Sequence, residues 1–205
     1  NVELPKELTD KWKDEGRYEK EMAELDDFFE RTGYPRAPRF YIIKWLSDFV
    51  RDYGIDGFRA DTVRHIEEEV WSEFKQECDL AFKDWKQQNS NLVLDDNEFY
   101  MVGEVYGYEI ISSGKSFDFG DVKVNYYDHG FDSMINFEFK KSAESDYESL
   151  FSTYSKVLNN ETSGFQVLNY LTSHDDGSPF DKERNKPYET ASKLLLSSGS
   201  AQIYY

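Results

Sequence analysis

Three acidic residues stand where short apolar runs end. Asp61 follows "IDGFRA" (Ile55 to Ala60), Glu104 closes "FYMVGE" (Phe99 to Glu104), and Asp175 lies beyond "FQVLNYLT" (Phe165 to Thr172). Each alone has a plain reading: Asp61 as a helix N-cap, Glu104 as a solvated loop residue. If the runs are strands of a parallel α/β sheet, the three carboxylates converge at the C-terminal strand ends, where sites of such folds assemble. Paired carboxylates suit glycoside hydrolysis, one attacking or stabilising while the other protonates the leaving oxygen. Arg59, two residues before Asp61, falls on the same side of its strand. A guanidinium there keeps Asp61 ionised and aimed, and Glu104 is then the carboxyl that must hold its proton.

The elements that position these residues follow from periodicity. Leu8, Trp12, Tyr18, Met22, Leu25 and Phe29 recur at near-helical spacing, until Gly33, Pro35 and Pro38 break the pattern. Ile42, Leu46, Phe49, Val50 and Tyr53 form an apolar stripe ending at Gly54, a helix C-cap. A long helix is expected along Ile66, Val70, Phe74, Cys78, Ala81 and Trp85, and others near Tyr147 to Leu158 and Tyr188 to Leu196. "SMINFEF" (Ser133 to Phe139) and "AQIYY" (Ala201 to Tyr205) complete a set of five strands. Alternation of strands and helices implies a parallel sheet with crossover helices. The segment from Tyr106 to Asp132 is a long aromatic loop, of the kind that carries function, and Tyr106, Tyr108, Tyr126 and Tyr127 serve there either as stacking platforms or as packing.

The chain has 205 residues, 17% of them aromatic, and a net charge of -17. That charge excludes nucleic acid as a partner, since phosphate binding needs a basic patch. No apolar run reaches the length of a membrane span. The single cysteine, Cys78, reads as core. The histidines His65, His129 and His174 lack metal-ligand spacing, and "LDDNE" (Leu94 to Glu98) lacks that of a calcium loop, so it reads as a solvated turn. Asn160-Glu161-Thr162 is a glycosylation sequon of the kind polar loops produce by chance.

"GFRADTVRH" (Gly57 to His65) resembles the second conserved region of the alpha-amylase family, glycoside hydrolase family 13; "VGEVY" (Val102 to Tyr106) resembles the third, and "YLTSHDDG" (Tyr170 to Gly177) the fourth. The three occur in the family's order. The resemblance implies a partial (β/α)8 TIM barrel of the α/β class, roughly strands four to eight, with residues 38–205 as barrel and 1–37 as the tail of an inserted domain and a lead-in. It implies Asp61 as nucleophile, Glu104 as general acid/base and Asp175 as the third carboxylate, gripping sugar hydroxyls. Arg59 matches the arginine beside the nucleophile, His174 the histidine at the cleavage point, and Arg64 and His65 contacts on the leaving-group side. In calcium-binding members the backbone carbonyl at the His65 position is offered to the ion.

The implied reaction is retaining cleavage of α-1,4 bonds in starch-like α-glucans, by a protein met outside the cytoplasm or in the periplasm. Alternatives are an α-glucosidase, debranching or transglycosylating member of the same family, or a non-catalytic sugar-binding relative. Two departures stand out. Ser173 occupies the position where the family has asparagine, and the family's first region, with the first three strands, is absent. The missing barrel segments are expected to be needed for a complete site.

Overall fold

A computed structural model describes residues 2–161, 164–175 and 177–204. The sequon's Thr162, Asp176 of the fourth motif and Tyr205 of the last strand lie outside the described residues. The chain divides into two compact units, Asn1–Asp56 with Gln76–Phe99, and Gly57–Lys75 with Tyr100–Tyr205.

The first unit is helical. It contains α1 (Lys6–Asp14), α2 (Tyr18–Thr32), α3 (Pro38–Tyr53) and the C-terminal part of α4 (Glu68–Gln88). Its core includes Trp12, Leu25, Phe28, Phe40, Ile43, Val50 and Cys78. The face of α3 differs from the expected stripe. Phe40, Ile43, Ser47 and Val50 are buried, whereas Ile42, Phe49 and Tyr53 are exposed. Both sets recur at i, i+3, i+4 or i+7, so apolar spacing alone does not say which stripe turns inward. Lys44, also on the buried side, ion-pairs with Glu24 at 3.2 Å and Asp48 at 2.5 Å. Gly54 caps α3 with φ 65°, donating its N–H to Val50 C=O at 2.9 Å, and an added Cβ would lie 2.3 Å from the Trp85 ring. The "LDDNE" turn is organised by Lys86, whose ammonium donates to the carbonyls of Asp95 and Asn97 at 3.1 and 2.5 Å.

The second unit holds the sheet. Its strands are β1 (Gly57–Ala60), β2 (Tyr100–Gly103), β5 (Ser133–Asn136), β6 (Gln166–Tyr170) and β7 (Ser200–Gln202), in that spatial order and all parallel. Each strand lies beside its predecessor in the sheet, with α6 (Phe139–Ser142), α7 (Tyr147–Lys156) and α8 (Pro187–Leu196) in the later connections. Sequential winding in one direction is the order of a (β/α)8 barrel and differs from the reversal of a doubly wound sheet. The fold is therefore a partial (β/α)8 barrel.

The strands are shorter than the apolar runs. "SMINFEF" stops pairing at Asn136, and Phe139 opens α6. β1 is only partly buried, with Arg59 as its exposed residue. The long segment after β2 is not bare loop. It contains α5 (Ile110–Ser113) and a hairpin of β3 (Phe117–Asp118) and β4 (Lys123–Val124). Tyr108, Tyr126 and Tyr127 pack inside it, leaving Tyr106 as the exposed tyrosine of the four.

Candidate active site

The register of β1 on β2 assembles the site. Ala60 pairs with Gly103, so the next residues along, Asp61 and Glu104, stand abreast at the C-terminal ends. Two backbone bonds carry the ladder past the strands: Glu104 N–H to Ala60 C=O and Val63 N–H to Glu104 C=O, both 2.9 Å. Period-two alternation turns Arg59 to the same side as Asp61. Its guanidinium spans the pair, with Nη1 3.2 Å from Asp61 Oδ1 and Nη2 3.3 Å from Glu104 Oε1.

The two carboxyls sit in unlike surroundings. The Asp61 side chain is 69% exposed and that of Glu104 only 12%. Asp61 is held below the usual carboxylate range, first by a hydrogen bond from the Glu104 carboxyl and then by the Arg59 charge. Glu104 is pushed above it, first by burial and then by the bond to Asp61, while Thr62 N–H and Arg59 pull the other way. Such a division favours the anion at Asp61 and makes Glu104 the stronger proton holder of the two.

Thr62, which sequence reasoning missed, completes the cradle. Its N–H donates to Glu104 Oε2 at 3.1 Å, from a backbone with φ 47°. A left-handed conformation is strained for a β-branched residue, at about 1–3 kcal/mol. Here it aims an N–H at the carboxyl. No feature of the sequence announces this, beyond the position of Thr62 directly after Asp61. The turn Val63–His65 is held by Trp71, whose indole N–H donates to Val63 C=O at 3.1 Å.

Arg64 leaves that turn toward Tyr106. Its Nη1 donates to Tyr106 C=O at 3.3 Å, and the guanidinium lies 5.7 Å from the Tyr106 ring and 5.9 Å from that of Phe117. Tyr106 meets Phe137 edge-on at 5.3 Å. His65 is exposed. His174 and Asp175 lie on the loop after β6 and engage each other, Nε2 to Oδ2 at 2.9 Å, with both side chains more than half exposed. Among the described residues neither makes a hydrogen bond or ion pair with Asp61 or Glu104. The structure thus brings together Arg59, Asp61 and Glu104, with Arg64 close by through Tyr106, and keeps His174 and Asp175 as a separate pair.

Among the described residues no three His, Cys, Asp or Glu side chains gather to hold a metal ion.

A (β/α)8 segment with a carboxylate pair at its C-terminal rim is the class that fold and site define. No protein-family model matches the chain. Over 171 residues it is 40% identical to the periplasmic alpha-amylase of Escherichia coli (strain K12), covering 82% of this chain and 23% of that protein. It is 27% identical over 185 residues to the alpha-amylase of Streptomyces lividans, covering 79% of this chain and 18% of that one. In fold it resembles the alpha-amylase of Geobacillus thermoleovorans solved with acarbose, with a TM-score of 0.56 at 19% identity over 82% of this chain and 35% of that one. The chain belongs to the alpha-amylase family, of which it spans a partial region: less than a quarter of the length of the curated relatives it matches.

Proposed function

We propose that this chain carries the reactive pair of an enzyme that cleaves α-glucosidic bonds in starch-like glucans with retention. The observation that carries the reading is the Asp61–Glu104 pair, abreast on neighbouring strands, bridged by Arg59 and with opposite proton affinities. Asp61, exposed and ionised, attacks the anomeric carbon. Glu104, buried and with its proton affinity raised, acts in its protonated form to give a proton to the leaving oxygen, then as carboxylate takes one from the water that releases the sugar.

Arg59 keeps Asp61 charged, and Arg64 with Tyr106 lines the leaving-group side. His65 is a further contact there. His174 and Asp175, paired with each other on the loop after β6, are the residues that grip the sugar at the cleavage point. The α-glucan substrate is supported by the names of the relatives, and a periplasmic or extracellular location by that of the Escherichia coli protein; no helix is long and apolar enough to cross a membrane among the described residues. By the same resemblance, residues 1–37 are the tail of an inserted domain and 38–205 the barrel segment.

The test is reducing-sugar release from soluble starch and a maltooligosaccharide, with Glu104→Gln as control. Release that disappears in the control supports the reading. Release that persists refutes the assignment of Glu104.

A further inference from the structure

Glu138 belongs to none of the three motifs, yet its carboxylate is buried just beyond β5. One oxygen accepts the backbone N–H of Ile111, and the other accepts the Ser112 hydroxyl at 3.0 Å. Both donors lie on α5, in the segment that leaves Glu104. The preceding residue grips the same segment: Phe137 N–H donates to Tyr108 C=O at 2.9 Å, and the Phe137 ring meets Tyr106. Two consecutive residues thus hold the stretch from Tyr106 to Ser112 at four points. Burying a carboxylate is unfavourable unless it is well bonded, and an apolar residue would fill the space with less penalty. The stretch so held begins with Tyr106, whose carbonyl and ring face Arg64.

We propose that Glu138 is a positioning residue for the candidate site: it pins the segment after Glu104 so that Tyr106 and Arg64 together shape the leaving-group side of the cleft. The inference rests on reading Asp61 and Glu104 as the reactive pair. Glu138 itself touches no reacting atom. It acts through α5 on Tyr106, and through Tyr106 on Arg64.

The test compares the chain with Glu138→Ala and Glu138→Gln by three measurements: amide exchange at Ile111, the guanidinium NMR signals of Arg64, and acarbose affinity. In Glu138→Ala, Ile111 should exchange about tenfold faster, as expected when a buried bond partner is lost. The Arg64 signals should move toward those of a free arginine, and acarbose should bind about tenfold more weakly. Glu138→Gln should restore most of each, because its amide oxygen still accepts from Ile111. Faster exchange at Ile111 with unchanged Arg64 signals would reduce Glu138 to a local cap and overturn the proposal. So would an effect in Glu138→Ala that appears only as global unfolding, without rescue by Gln. If the folded parent chain binds no acarbose, the site is incomplete without the missing barrel segments, and the Arg64 signals with their rescue by Gln decide by themselves whether Glu138 positions Tyr106.

Discussion

Replacing Gly57 by alanine should disturb the site from four residues away. Gly57 pairs with Tyr100 at the start of the β1–β2 ladder, and an added Cβ would lie 2.3 Å from the Tyr100 carbonyl oxygen. A relaxed carbon–oxygen contact is about 3.3–3.6 Å, so the strands must part by about 1 Å. The obstacle is backbone, which cannot rotate away as a side chain can. Overpacking of this kind is destabilising by about 1–3 kcal/mol, and a backbone obstacle puts it in the upper half. Against that, alanine reduces the freedom of the unfolded chain, which returns about 0.4–1 kcal/mol. The net expectation is a loss of about 1.5–2 kcal/mol, read by urea denaturation as a lower midpoint at unchanged slope. Gly177→Ala is the control, since nothing lies within 4 Å of its added Cβ; a substitution of that kind stays within about 0.5 kcal/mol. Because Asp61 and Glu104 sit at the other end of the same ladder, Gly57→Ala should also depress cleavage by as much as about 100-fold, the effect of a misplacement near 1 Å. If Gly57→Ala proves as stable as Gly177→Ala, the register that places Asp61 beside Glu104 is wrong.

Glu104→Gln should abolish most cleavage, by about 10²–10⁴-fold, while making the fold more stable at neutral pH. Burial raises the folded-state pKa of Glu104 above its ordinary 4.5, so the wild-type chain loses stability as pH rises from there through the raised value. The advantage of Gln in denaturation experiments should therefore be absent in acid, grow across that window and then level; an advantage that shrinks with pH would contradict the assigned direction. In the helical unit, Arg31→Met strands the Glu77 carboxylate, which is 2% exposed and held by Arg31 at 2.6 Å. Because Arg31 itself is 45% exposed, the loss in calorimetry or denaturation should fall at or below the lower end of the buried-pair range, about 2–3 kcal/mol. Among the loop tyrosines, Tyr127→Ala should destabilise by about 3–5 kcal/mol as a buried aromatic. Tyr106→Ala should leave stability within about 0.5 kcal/mol and weaken oligosaccharide binding by about two- to tenfold; the reverse pattern would exchange their roles.

Much of the barrel is legible in the sequence because parallel strands and their helices impose periods. All five apolar runs became neighbours in one parallel sheet, and Gly54 ends α3 as its φ requires. Strand ends were read too long, since an apolar residue such as Phe139 serves equally in a strand or in the first turn of a helix. The inward face of α3 was ambiguous because two apolar stripes share it. The motif spacing placed Arg59, Asp61 and Glu104 at strand ends, and ladder geometry then brings them together. The Thr62 backbone and the Glu138 anchor were invisible, because each depends on where a distant segment passes. The mutual pairing of His174 and Asp175 likewise depends on loop conformation, which no period encodes.

Asp61 and Glu104 hold protons with unequal affinity, and carboxyl carbon NMR titration measures that inequality residue by residue. Asp61 should titrate below the ordinary range and Glu104 above it, with Asp61→Asn lowering Glu104 only in part, because burial is the larger cause. Two carboxyls titrating independently at ordinary values would contradict it.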